Sequence, residues 1–314
     1  MQIEILGAES LGVRGLCCFV KTKQRNILID PGIALGYMRD RLLPHPVQIA
    51  MDEKIQKKII CAWKNASDVV ISHFHGDHVP LENANPYQLD IRKLSGLNQN
   101  MKIWTKNPCH FSPTEEKRAK RLYSFLQADT IPAEGKNSGP MAFSGAVPHG
   151  RADNNLETVM MTRIEEDKVF VHASDIQLLD DETVSNVLAW KPDILLVGGP
   201  ALYLSRLSDD LIARAWNNAA RLSQATNMLI LDHHLMRSHE GLEWLTGIAS
   251  RTGNSVMCAA DFMRKPRMLL EANRRDIYDK LPVPLAWHED YARGKVTTDD
   301  FWFAAQSLSI ITPS

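Results

Sequence analysis

The sequence predicts a mixed α/β fold of two β-sheets with helices packed outside them, and two observations carry the prediction. Short aliphatic runs recur along the chain and, in its second half, alternate with segments of helical period. Several of these runs end abruptly in Asp, His or Gly, as strands do where they deliver side chains to one edge of a sheet.

The elements follow in order. Residues 2–6, 16–21 and 26–29 read as a β-meander joined by Gly, Lys and Arg turns. Residues 52–65 read as a helix with charges on one side and Ile55, Ile59, Ile60 and Trp63 at helical spacing on the other. Strands follow at 68–72 and 102–105. The pattern Ser112-Pro113-Thr114-Glu115 then caps a helix over 114–127. Residues 141–147, 158–165 and 168–172 read as strands. Helices over 180–190, 209–226 and 240–252 alternate with apolar strands at 194–197, 228–231 and 255–258. Inspection finds no internal repeat of fixed period.

Composition frames the function. With 44% hydrophobic and 23% charged residues, the chain has the makeup of an ordinary soluble globular protein. It contains no run of eighteen apolar residues, and its N-terminus lacks the basic and apolar regions of a signal peptide, so the expectation is a cytoplasmic protein without membrane contact. Five cysteines with no Cys-x-x-Cys pair argue against disulfides; Cys17 and Cys18, alternating across a strand, send one side chain into the core. A net charge of −1 gives no global field for nucleic acid. The basic clusters at 117–121, 264–267 and 274–275 read as solvated helix faces.

The chemistry is concentrated in Ser72-His73-Phe74-His75-Gly76-Asp77-His78, directly after the apolar run at 68–71. Residues two apart share a face as a strand ends, so His73 and His75 point together, while Asp77 and His78 turn back from the following loop. A surface loop without a ligand is the bland alternative. Three imidazoles and a carboxylate beside a buried strand disfavour it, because buried polar groups need partners. Imidazole and carboxylate without thiolate suit Zn²⁺ first, with Mn²⁺ or Fe as alternatives.

His73, His75, Asp77 and His78 match the His-x-His-x-Asp-His signature of the metallo-β-lactamase superfamily, which this chain resembles. Further along the chain, the Asp30-Pro31-Gly32 turn, His149 after 145–148, Asp175 after 169–174 and His233 after 228–232 occur in that superfamily's order. More narrowly, residues 9–15, 27–32, 192–204 and 231–237 resemble a subfamily of predicted metal-dependent hydrolases from archaea and bacteria. That resemblance brings no assigned substrate. It implies a four-layer αββα sandwich, one metal held by His73, His75 and His149, a second held by Asp77, His78 and His233, and Asp175 bridging them. It also implies hydrolysis by a hydroxide shared between the two divalent ions. Metal-site elements running from Asp30 to His233 tie residues 1–314 into one domain, although length alone, at ~150 residues per domain, suggests two.

The catalytic candidates are Asp77, His172, His234 and Arg237. Only one of the adjacent His233 and His234 normally enters a metal's coordination. His233 is preferred, since Arg237 four residues on is similar to the terminal motif of the tRNA-processing nuclease branch; His234 is then a ligand in its place or a proton donor. His172 reads equally as a core histidine or a proton carrier. Asp30 and Asp68, at strand ends, are candidates to orient ligand imidazoles, with turn or cap roles weighed equally. His45 reads as a loop residue, and His110, His239 and His288 as solvated or packed. Tyr203, after Gly198-Gly199, and Tyr87 read as packed aromatics, and Arg237 as the anion anchor.

The leading expectation is a dinuclear hydrolase acting on an ester, lactone or phosphodiester of a small-molecule substrate. A nuclease of the tRNA-processing kind, which would bind nucleic acid, and a non-hydrolytic or redox metal protein are the alternatives, and fold does not choose among them.

Overall fold

The computed structural model describes residues 1–98, 100–127, 130–150, 157–205 and 207–311. Strands β1 (Gln2–Gly7), β2 (Cys17–Lys21) and β3 (Asn26–Ile29) form the antiparallel meander that their turns predict. From β3 the sheet continues in parallel through β4 (Asp68–Ile71), β5 (Lys102–Thr105) and β6 (Thr130–Pro132). The second sheet contains β7 (Asn137–Ser138), β8 (Met141–Pro148), β9 (Thr158–Glu165), β10 (Val169–His172), β11 (Ile194–Val197), β12 (Met228–Leu231) and β13 (Ser255–Met257) in the order β13-β12-β11-β10-β9-β8-β7. Its half from β10 to β13 is parallel and its half from β7 to β10 antiparallel.

Two-residue periodicity divides the layers. Along β2, Cys18 and Val20 enter the core between the sheets, whereas Cys17 and Phe19 face the helices α1 (Pro46–Asn65) and α2 (Pro113–Leu126). Both cysteines are therefore buried, one on each face, because this sheet is covered on both sides. The helices α3 (Asp181–Ala189), α4 (Asp209–Ala225) and α5 (Glu240–Thr252) cover the outer face of the second sheet, their Val184, Val187, Ala219, Leu222 and Ile248 joining its core. The result is the αββα order. Beyond it, α6 (Ala259–Phe262), α7 (Arg274–Lys280), α8 (Trp287–Ala292) and α9 (Asp299–Ser307) follow, and Ile277 of α7 and Trp302 of α9 pack on Val47 and Ala50 of α1.

Two expectations change. Helix α1 begins at Pro46 rather than at residue 52, because His45 is its N-cap: the imidazole Nδ1 accepts from Val47 N while Gln48 reaches back to His45 N. His45 is thus buried instead of lying in a surface loop, and burial pushes its pKa down to about 4. Arg274 is also buried, bonded to Glu271, rather than part of a solvated basic face. No helix among the described residues is long and apolar enough to cross a membrane.

Parallel strands β3 and β4 in one sheet and β10 to β12 in the other end at one edge of the sandwich. The edge is closely packed. A methyl group on Gly32, just past β3, would overlap the backbone of His78 and Val79. Gly32→Ala is expected to lower stability by ~3 kcal/mol or more, a displacement of backbone by backbone that no rotamer relieves. Gly145→Ala, which meets nothing within 4 Å, is the control. Thermal melts of the two variants check this; equal melting temperatures would show that the turn at Gly32 gives way.

Candidate metal centre

Each side chain of the cluster is delivered by a strand end. The segment from Ser72 to His78 leaves β4, His149 leaves β8, Asp175 follows β10 after two residues, and His233 and His234 follow β12 after Asp232. Asp30 leaves β3. Asp30, Ser174 and His233 have φ of 48°, 52° and 49°, a left-handed backbone uncommon for residues with a Cβ. Sharp reversals there turn side chains from both sheets toward one point.

That point is the Asp175 carboxylate. Its Oδ2 lies 3.0 Å from Nε2 of His78, 3.2 Å from His233, 3.4 Å from both His149 and His234, and 3.7 Å from His73. Four groups of donor atoms converge there: His73, His75, His149 and Asp175; Asp77, His78 and His233; Asp175, His233 and His234; and, behind them, Asp30, His73 and His78. The structure thus brings together all seven residues placed in the metal set by sequence, and adds His234. His73, His78, Asp175 and His233 are essentially without solvent exposure.

The donor set fits divalent cations. Nε2 of His73, His78, His149 and His234 and both oxygens of Asp175 are buried without a hydrogen-bond partner. Buried polar atoms are rarely left so, and cations bound among them would satisfy the lone pairs that face the cluster. Burial pushes His73 and His234 well below the ordinary imidazole range and His233 down to about 4, which leaves lone pairs free for a metal. Burial opposes the charge of Asp175, yet His233 and His78 hold it well below the usual carboxylate value.

Behind these donors stands a network that orients them. Asp30 Oδ2 is 3.0 Å from His78 Nδ1 and accepts from Ser72 Oγ at 2.7 Å, while its Oδ1 accepts from Ser72 N at 2.8 Å. Ser72 Oγ is in turn 2.9 Å from His73 Nδ1, and Gln177 approaches His149 Nδ1. Such contacts fix the tautomer and ring direction of a ligand imidazole. Asp232 holds the turn that carries the histidine pair, accepting from His233 N, Ser10 N and Ala259 N. Glu115 at the start of α2 accepts from Phe74 N at 3.2 Å, and Arg118 donates to Phe74 O at 2.9 Å, so the peptide between His73 and His75 is gripped on both sides.

Other predicted residues fall as follows. His172 lies outside the four groups: its Nε2 donates to Leu16 O at 2.8 Å, joining the two sheets, and burial lowers its pKa. Arg237 is inside, contacting Glu9, Tyr203, Asp77 and His233, so its guanidinium is already engaged. Gly15 N donates to His233 Nδ1 at 3.2 Å, and Arg237 Nη2 is 2.9 Å from His233 Nε2; neither nitrogen of His234 has a partner. Asp68 departs from expectation. It stands at the opposite end of β4, bonded to Arg25 and Trp104, because the site forms where that strand ends. Tyr87 and Tyr278 bracket His288, and His110 pairs with Glu134. Sequence reading passed over Asp232, Ser10, Ser72, Ser174, Gln177 and Glu115; for Ser72 and Asp232 the available signal was a polar residue at a strand end, adjoining a ligand.

Known proteins share this family and this fold. The sequence model of the "Metallo-beta-lactamase superfamily" matches residues 12–79, from just before β2 through the histidine run. A UPF0282 protein of Methanosarcina mazei is 47% identical over 302 residues, covering 96% of this chain and 99% of its own. A UPF0282 protein of Pyrococcus horikoshii is 33% identical over 291 residues, covering 88% and 93%. Among solved structures, the isothiocyanate hydrolase from Delia radicum gut bacteria is similar in fold, with a TM-score of 0.50 and 14% identity over 82% of this chain and 95% of that one.

Asp30→Ala removes the acceptor of His78 Nδ1 and frees Ser72, while the seven residues His73, His75, Asp77, His78, His149, Asp175 and His233 all stay in place. Metal affinity is expected to fall by about 10- to 100-fold with the fold retained. Competitive chelator titration beside circular dichroism measures both. An unchanged affinity would show that Asp30 does not orient the ligands.

Proposed function

Because the chain belongs to the UPF0282 family of the metallo-beta-lactamase superfamily, we propose that residues 1–314 act as one domain, a dinuclear metal-dependent hydrolase of an ester, lactone or phosphodiester. The observation that carries the reading is the single carboxylate oxygen of Asp175 ringed by five imidazole nitrogens, most of them buried and unpartnered. His73, His75 and His149 hold one ion, Asp77, His78 and His233 the other, and Asp175 lies between. Zn²⁺ suits these donors best. Bound there, the metals supply Lewis acidity and acidify water toward neutral pH.

The chain's own groups do the rest. Asp30, Ser72 and Gln177 keep the ligand imidazoles aimed, and Arg237 holds Asp77 through Nη2. His234, with both nitrogens free and Nε2 at 3.4 Å from Asp175, is placed to take or give a proton. His172, with Nε2 committed to Leu16, would move a proton only through Nδ1.

Elemental analysis of gently purified protein is expected to find two metals per chain. One ion at saturation, unaffected by Asp77→Ala and His78→Ala, overturns the dinuclear reading. Reconstitution with Zn²⁺, Mn²⁺ or Fe²⁺ and assay on bis-p-nitrophenyl phosphate, lactones, thioesters and cyclic nucleotides then tests hydrolysis. Asp175→Ala should lose both ions and all turnover, since its Oδ2 is the carboxylate oxygen within 3.7 Å of His73 and His149 on one side and of His78 and His233 on the other.

His233 is assigned as the ligand because it, unlike His234, stands with both Asp77 and His78. The Gly15 amide requires a lone pair on His233 Nδ1, so a metal on Nε2 turns that hydrogen bond into a meeting of two donors. Metal titration of the two alanine variants decides between the histidines. His233→Ala should weaken the second ion about 100-fold or more, and His234→Ala should keep both ions while slowing turnover. The opposite pattern moves the ligand to His234.

A further inference from the structure

One buried carboxylate serves three guanidinium groups at the rim of the metal centre. Glu271 Oε1 accepts from Arg14 Nη2 at 2.7 Å, its Oε2 accepts from Arg274 Nη2 at 2.6 Å, and Arg39 Nη1 lies 3.8 Å from Oε1. Arg274 is fully buried and also donates to Gly36 O and Leu42 O, which gives it a structural task. Arg14 and Arg39 differ. Their side chains keep 27% and 23% exposure, and Arg14 Nε is buried without a partner. Among the described residues no carboxylate other than Glu271 is within ion-pair reach of Arg39. Glu9, which feels the charge of Arg14, is bonded to Arg237.

The position of this excess charge gives it meaning. The Tyr203 ring has Arg39 and Arg237 guanidinium carbons each 5.9 Å from its centre, and its hydroxyl accepts from Arg237 Nη1 at 3.0 Å. Arg237 Nη2 reaches Asp77 and His233. Arg39 is therefore separated from the metal ligands by one aromatic ring and one guanidinium, and Arg14 adjoins Gly15, whose amide meets His233. Tyr37 and Met38, next to Arg39, are 57% and 54% exposed. A guanidinium pair about a quarter exposed, sharing the Glu271 carboxylate and next to exposed apolar side chains, is suited to an oxyanion attached to an apolar group.

We propose that Arg14 and Arg39, with Tyr203, form a subsite for a carboxylate or phosphate group carried by the substrate, with Tyr37 and Met38 against its apolar part. The inference rests on the hydrolase reading for the word substrate and on the arginine geometry for the site. It displaces Arg237 as the anion anchor, since that guanidinium is engaged on every side.

Calorimetric titration of the full-length, metal-loaded protein with inorganic phosphate and with benzoate tests it. Arg39→Ala and Arg39→Glu should each weaken binding of the preferred probe at least tenfold, and Arg39→Lys should recover part of it, with metal content and melting temperature measured for every variant. The stronger of the two probes identifies the group as phosphate or carboxylate. Equal affinity in the wild type and Arg39→Glu overturns the subsite, because the anion then sits on the metals or elsewhere. In turnover, matched esters with and without a terminal anion should show their kcat/KM ratio fall about tenfold in Arg39→Ala. A wild type that cleaves neither ester counts against the hydrolase reading, while the titration still decides the subsite.

Discussion

The buried carboxylate of Asp30 is the constraint from which the site is built. It accepts from both the amide and the hydroxyl of Ser72, meets His78 Nδ1, and takes a longer contact from Ser174, so it fastens the ends of β3, β4 and β10 to one another. Its own backbone is left-handed, as are those of Ser174 and His233. Each such residue costs on the order of 1 kcal/mol, and strain of this kind persists only where surrounding bonds over-determine it. Here the over-determination is visible: Asp30 N is bonded to Val70 O, Gly198 N to Ser174 O, and His233 N to Asp232.

Because donors come from both sheets, the centre exists only when the sheets are packed in register. Three contacts across the sandwich set that register close to the site. Met160 N donates to Ser72 O, Ser72 Oγ meets Ser174 Oγ at 2.7 Å, and His172 donates to Leu16 O. Lys106 adds a fourth at the end of β5. Its buried ammonium contacts both oxygens of Glu115 and donates to Thr158 O at 2.7 Å, and Glu115 in turn holds Phe74 N. A buried pair of this kind contributes little net stability, since desolvation offsets attraction, but losing one partner strands the other. What it does supply is position for the loop between His73 and His75.

Legibility in the sequence followed chain distance. The histidine run is local, and its donors could be read from spacing alone, as could the strands that carry His149, Asp175 and His233. The pairing of the two sheets came through resemblance to a known fold rather than from any residue pattern. The bonds that orient the donors were mostly hidden, because they join residues far apart: Asp30 to His78, Ser10 to Asp232, Lys106 to Thr158. Asp30 and Asp68 looked alike as acids at strand ends; only strand direction separates them, one at the end of β3 and the other at the start of β4. His45 was hidden for another reason. Histidine is an uncommon N-cap, so six residues of α1 lay unrecognised before residue 52.

Charge balance gives the last connection between packing and chemistry. Asp30, Asp77 and Asp175 face one another's surroundings across a water-poor edge, and Arg237 is the one fixed cation in contact with them among the described residues. Such a set of carboxylates needs compensation. Protons supply some of it: burial opposes charge on His78, yet Asp175 and Asp30 on either side raise it well above the ordinary imidazole range. The nitrogen that would carry such a proton is the lone pair a metal needs, so metal and proton compete for one site, and acid displaces the ion. The same carboxylates that make an unfilled cluster costly are thus what suit it to a cation, and their fixed arrangement at the strand ends places that demand at one edge of the sandwich, next to Arg237 and Tyr203.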